Sequence, residues 1–183
     1  MTKRHHIRRR DSTTELGGPR WKVWLGRRDF TESRDDAQLS LPSPFLYISS
    51  TTKSFTNQRL AINDLVIQSS ARAPGYARCA IFRGRIYNDT NIAPTFTCSL
   101  QLFWPPLLSN ESDPRLAALD PTAAVLDTSY NQNLLQQKGC LHSDKAFLSD
   151  PRLAELVKSY SDDRERFWRD FPKSVVKMGN IKP

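Results

Sequence analysis

Arg72 closes a short helical pattern in DLVIQSSARAPGYARC (residues 64–79). Ile62, Leu65 and Val66 fall at i, i+3 and i+4, one face of a helix. Asn63 or Asp64 can cap its start, because either side chain accepts free backbone N–H groups. Pro74–Gly75 then ends it. A permanent charge in the last turn of a partly buried helix is costly without a partner. The arginine can instead complement the helix dipole, a contribution of about 0.3–1 kcal/mol. Spacing alone leaves both readings open.

Other reactive residue types are sparse. Three cysteines, Cys79, Cys98 and Cys140, are odd in number and form no C-x-x-C pair, so neither a zinc site nor a disulfide framework follows. The run KRHHIRRR (3–10) could bind phosphates or act as an import signal. Nearly all of the net charge of +8 sits towards that end: residues 1–28 hold nine Lys/Arg against two acids, and residues 29–183 hold eighteen against seventeen. Residues 1–15 read as a basic, solvated, disordered arm. No interleaved aromatics accompany the charge, which argues against a nucleic-acid partner. The sequons at Asn88 and Asn110 matter only in a secreted protein.

The elements that must position these groups are mainly helical. A chain of 183 residues suffices for one domain with a hydrophobic core. No apolar run of membrane-spanning length occurs, and the N-terminus lacks the apolar stretch of a signal peptide, so localisation stays open. Residues 20–28 read as extended or loop, and the prolines of LPSPFLY (41–47) disfavour helix. A helix is expected over about 48–58. Residues 88–121, with five prolines, read as a long loop holding one short helix near 95–103. Tyr130, Leu134 and Leu135 share a helix face, with Gly139 as its C′ residue. Ser149 or Asp150 caps a helix with Pro151 at its first position and Leu153, Leu156, Val157 and Tyr160 on one side. A last helix carries Phe167, Phe171, Val175 and Met178 and ends at Gly179. Pro172 should kink it, at about 3 kcal/mol relative to alanine. There are no internal repeats.

Six segments, in order, resemble the secretory (class III) haem peroxidases of plants. LGGPRWKVWLGRRDF (16–30) is similar to the family's L-G-G-P-x-W-x-V-x-L-G-R-R-D, and LPSP (41–44) to L-P-x-P. DLVIQSSARAPGYARC resembles D-L-V-A-L-S-G-A-H-T-I-G-x-A-R-C, followed by FRGRIYNDTNI (82–92). LDPTAAVLDTSYNQNLLQQKGCLHSD (119–144) and FWRDFPKSVVKMGNI (167–181) complete the series. The chain is thereby identified as a truncated, degenerate member. The implied fold is mainly α, the proximal, C-terminal half of the plant haem-peroxidase fold and incomplete, with residues 16–183 as a partial domain. The distal helices would normally cover its haem-facing side, so an exposed apolar face is expected.

The resemblance implies hydrogen-peroxide-dependent oxidation of phenolic donors, peroxide removal and a part in the oxidative-stress response, with haem b and calcium as cofactors. It also places Arg72 where the family has the histidine that ligates haem iron, and Asp144 at that histidine's carboxylate partner. An imidazole lone pair can bind iron; an arginine has none. The expectation is an Arg72–Asp144 ion pair and no catalysis. The distal motif R-x-x-F-H-D-C has no counterpart, and His5 and His6 read as tail residues. His142 reads as a surface residue. Asp120, Thr122 and Asp127 mark a vestigial calcium position, in which a residue is missing between the aspartates and Ala73 stands for a threonine. Pro42 matches a proline that contacts aromatic donors. Cys79 matches a half-cystine whose partner's place is Trp104-Pro105, while Cys98 and Cys140 match none. Neither cofactor is expected to bind well. No oligomer is implied, and the family is secreted or vacuolar. The alternative function is a binding or regulatory module using the basic arm or the exposed apolar face.

Overall fold

The computed structural model describes residues 3–24, 47–106 and 115–181. Pro42, the glycosylation triplet at Asn110 and most of LPSPFLY lie outside the described residues. The described elements run α1 (Lys3–Glu15), α2 (Ile48–Asn57), α3 (Ile62–Ser70), β1 (Tyr76–Arg78), α4 (Cys79–Asn88), α5 (Pro94–Phe103) and β2 (Leu116–Ala118). Then follow α6 (Ser129–Leu135), α7 (His142–Ala146), α8 (Pro151–Asp162) and α9 (Arg164–Gly179). The fold is mainly α, as expected.

The best-formed helices obey local rules. Asp150 caps α8 by accepting the Arg152 N–H at 2.9 Å, with Pro151 at the first position. Asp163 does the same for α9 through the Arg166 N–H at 2.8 Å. Helix α9 runs unbroken through Pro172 to Gly179. Proline removes one backbone donor there, while Phe167 and Phe171 remain buried on the core side. At the start of α3, Asp64 accepts the Ala61 N–H at 2.8 Å, tying off one orphan donor.

Two packed clusters result. The first joins α3, α6, α8 and α9 through Leu65, Val66, Tyr130, Val157, Tyr160 and Phe167. The second gathers α4, α5 and the strand pair through Ala77, Cys79, Phe82, Ile86, Leu100 and Cys140. Strands β1 and β2 are antiparallel, with Tyr76 opposite Ala118 and Ala77 opposite Ala117.

Four expectations are corrected. The N-terminal segment is helix α1, not a disordered arm. Gly17, at φ +80°, ends it: the Gly18 N–H reaches the Thr13 carbonyl at 2.8 Å and the Gly17 N–H the Thr14 carbonyl at 3.0 Å. The Leu126 N–H then holds the Leu16 carbonyl at 2.8 Å, and Leu16 packs on the first cluster. The span 88–121, read as loop around one short helix, also holds β2. Gln137, at φ 57°, is the left-handed residue closing α6, with the Lys138 N–H on the Asn133 carbonyl at 2.8 Å; Gly139 lies beyond it. Arg72 stands just past α3, in a turn where its N–H meets the Ser69 carbonyl at 3.1 Å.

Candidate functional site

Asp144, on the first turn of α7, is 1% exposed. Burying a carboxylate demands donors on both oxygens. Its Oδ2 accepts the Leu141 N–H at 2.8 Å, and its Oδ1 accepts the Tyr130 hydroxyl at 2.7 Å. Arg72 Nη1 reaches the same Oδ1 at 3.0 Å. That nitrogen also donates to Ser143 Oγ at 3.1 Å and makes a long contact to Tyr130 Oη at 3.5 Å. The expected Arg72–Asp144 pair therefore exists, inside a four-residue cluster from α6, α7 and the turn after α3.

The backbone explains the meeting. Pro74 and Gly75 turn the chain sharply after α3, and the Ala73 N–H closes on the Ser70 carbonyl at 3.1 Å. Ser70 Oγ donates to Asn131 Oδ1 at 2.9 Å, locking α3 to α6. Gly139 permits Asp144 to approach: a Cβ added there would lie 2.6 Å from the Asp144 Cβ.

Charge in the cluster is set by its partners. Burial alone would lower the Arg72 pKa, but Tyr130 and Asp144 outweigh it and hold the pKa above its ordinary value. Burial, then Asp144, pushes the Tyr130 phenol well above the usual range, so it stays a donor at neutral pH. The Arg72 side chain is 31% exposed. It opens onto a groove of about 320 Å³ lined by Ile48, Phe55, Leu65, Val175 and Met178. No imidazole or thiol lines that groove among the described residues.

The aspartate loop before α6 is the second candidate. Asp120 is 4% exposed; its Oδ1 accepts the Thr122 N–H at 2.8 Å and the Thr122 hydroxyl at 3.2 Å. Its Oδ2 is buried with no hydrogen-bond partner among the described residues. Burial first, and then the charge of Asp127, raises the Asp120 carboxyl to about 6. Asp127 Oδ1 accepts the Ser129 N–H at 2.8 Å. Ala73, 0% exposed, offers no side-chain oxygen. No group of three or more His, Cys, Asp or Glu residues able to hold a metal occurs among the described residues.

His142 Nδ1 lies 3.3 Å from Asp89 Oδ2, an oxygen that also meets Lys145 Nζ at 3.3 Å and Arg85 Nη1 at 2.9 Å. Arg85, 4% exposed, is the largest element that the sequence reading missed: its Nε donates to the Gly139 carbonyl at 2.9 Å and Nη1 to Asn91 Oδ1 at 3.2 Å. Its signal was the Arg85–Asp89 i, i+4 spacing. Sequence spacing marks Tyr130 only as an apolar helix position and does not single out Ser143. The three cysteines form no disulfide: Cys79 and Cys140 are buried and Cys98 is exposed, and Arg83 Nε donates to Cys79 Sγ at 3.1 Å. Burial pushes the Cys140 thiol up to about 12. Trp104 packs edge-on against Phe82 at 5.4 Å. No helix among the described residues is long and apolar enough to cross a membrane.

Comparison with known proteins shows the family. The peroxidase family model matches residues 7–163. Peroxidase 70 of Zea mays is 42% identical over 176 residues, covering 95% of this chain and 54% of the relative. Peroxidase RIP1 of Medicago truncatula is 42% identical over 179 residues, with 95% and 54% covered. Peroxidase P7 of Brassica rapa is 38% identical over 179 residues, with 97% and 60% covered. The chain thus spans little more than half the length of these curated relatives. By the family match and these identities, the chain belongs to the plant peroxidase family.

Proposed function

We propose that this chain is a peroxidase-family protein whose iron-ligating position has been taken over by an ion pair, so that it does not itself carry out hydrogen-peroxide-dependent oxidation of phenolic donors. One observation carries the reading: Arg72 Nη1 rests 3.0 Å from the buried Asp144 carboxylate. The motif resemblance puts these two residues where the family has its haem-ligating histidine and the carboxylate that orients it. In a His–Asp pair the carboxylate takes the far N–H and strengthens the near nitrogen as a donor. A guanidinium has five N–H donors and no acceptor, and its partners here hold it protonated. The donor set therefore does not fit haem iron.

The aspartate loop fits a cation in part. Asp120 has a buried oxygen with no partner among the described residues, and Asp127 adds to the local negative charge. Calcium takes six to eight oxygens at about 2.3–2.6 Å, and Asp120, Thr122 and Asp127 would supply only some of them. A bound cation would neutralise the two carboxylates and brace the loop entering α6. Such a site would hold calcium weakly.

Titration of the chain with haemin, beside an Arg72→His variant, tests the main proposal. The expected result is a saturable Soret shift for Arg72→His and none for the unaltered chain. Axial ligation by the unaltered chain would overturn it. The groove beside Arg72 favours a second reading, a small-molecule binding module, because it joins apolar walls to a fixed positive charge.

A further inference from the structure

Only one corner of the Arg72 guanidinium is spoken for. Nη1 meets Asp144, Ser143 and Tyr130, whereas Nε and Nη2 have no hydrogen-bond partner among the described residues. The side chain is anchored and yet 31% exposed. Asp144, the neutralising charge, is 1% exposed and lies behind it. The pair is neutral in sum, but its positive end faces the groove and its negative end is sealed in protein.

The groove supplies the rest of a binding site. Ile48 and Phe55 of α2, Leu65 of α3, Phe147 after α7 and Val175 of α9 form apolar walls around a cavity of about 320 Å³. A cavity of about 150 Å³ takes benzene, with its six heavy atoms. By that scale this one takes about twelve. Guanidinium nitrogens at the margin of an apolar slot suit a planar anion that they can grip with two parallel hydrogen bonds.

We propose that this groove binds a medium-chain aliphatic carboxylate, its chain along Phe55, Leu65 and Val175 and its headgroup on the unpaired nitrogens of Arg72. The ion pair with Asp144 then has a role besides stability, since it fixes the guanidinium before the ligand arrives. The inference rests on the preceding section only in needing a groove free of haem.

Methionine supplies the reporter. The chain has two methionines, Met1 and Met178, and Met178 lines the groove. The protein, labelled with 13C at the methionine methyls, is titrated with decanoate and with decanamide, its neutral isostere. Decanoate is expected to shift the Met178 signal saturably, and decanamide to bind at least about tenfold more weakly. Equal affinity for the two ligands overturns the proposal, as does the absence of a saturable shift with decanoate. An Arg72→Gln variant should erase the preference for the acid. If that variant fails to fold because Asp144 has lost its counter-charge, the acid–amide comparison on the unaltered chain still decides. A Soret titration of the same sample separates the two proposals: iron ligation by the unaltered chain sinks the reading of the proximal position, whereas missing decanoate binding sinks only this one.

Discussion

Arg72 Nη1 and Tyr130 Oη donate to the same oxygen of Asp144, at 3.0 Å and 2.7 Å. One carboxylate oxygen thus joins the turn after α3 to helix α6. Removing either donor leaves the other in place, so the cluster tolerates the loss of Arg72 better than the loss of Asp144.

Urea unfolding of Arg72→Leu, Asp144→Leu and the double variant should display that asymmetry. Arg72→Leu is expected to cost about 2 kcal/mol, and Asp144→Leu about 3–5 kcal/mol, because the latter strands buried donors. The double variant should cost less than the sum by at least about 1 kcal/mol. Strict additivity would show that the pair is not coupled.

Gly139→Ala should be destabilising although glycine to alanine is usually mild. The new methyl would sit 2.6 Å from Asp144 Cβ and 3.1 Å from Leu134 Cδ2. A loss of about 2 kcal/mol is expected, read as a lower urea midpoint with an unchanged slope. A neutral result would mean that α7 can shift away from the strand of chain before it.

Acid should weaken the contact between α3 and α9. Burial favours protonated Asp64, but the Ala61 N–H and Lys177 outweigh burial and hold its pKa below the ordinary value. Lys177 Nζ lies 3.0 Å from Asp64 Oδ2. A carboxyl with a depressed folded pKa stabilises fully above its unfolded value, about 3.9, and loses that contribution as pH falls through the folded one. Asp64→Asn should therefore lower stability at neutral pH by about 1 kcal/mol and flatten the acid limb of the unfolding midpoint plotted against pH. An acid limb as steep in the variant as in the parent would assign it to other carboxyls.

Calcium should have little effect on the melting temperature. With a dissociation constant no tighter than about 1 mM, adding about 1 mM calcium contributes less than about 0.5 kcal/mol, or about 1–2 °C. Asp120→Asn should stabilise the metal-free chain by about 1 kcal/mol at neutral pH, since it removes a buried charge with an unpartnered oxygen. A calcium-dependent rise of more than about 5 °C, abolished in Asp120→Asn, would establish a built site.

Helices α8 and α9 were legible because both carry long amphipathic stripes, and α8 also has Asp150 and Pro151 at its start; the Asp163 cap of α9 emerged only in the structure. Helix α1 was not, because KRHHIRRRDSTTE carries no apolar stripe; its stop lies in the Gly17–Gly18 pair and its anchor in Leu16, both just past the charged run. The strands, three residues each, are too short for a period-two pattern. At the site, motif resemblance suggested the Arg72–Asp144 pair across 72 positions of chain, which spacing alone could not do. The polar ends of Tyr130 and Ser143 were hidden, since residue type does not tell which way a hydroxyl is turned. Arg85 was hidden for the opposite reason: arginine is ordinarily a surface residue.

The three thiols give the molecule its own strain gauge. Cys98 is exposed on α5 and open to an alkylating reagent in the native state, whereas Cys79 and Cys140 are both sealed in the second cluster. A pulse of reagent would mark Cys98 at once and the other two only when the α4–α5 half parts from the strand pair. Counting the marks by mass would time the opening of one half of the protein while the other half, built on Phe167 and Tyr160, stays silent.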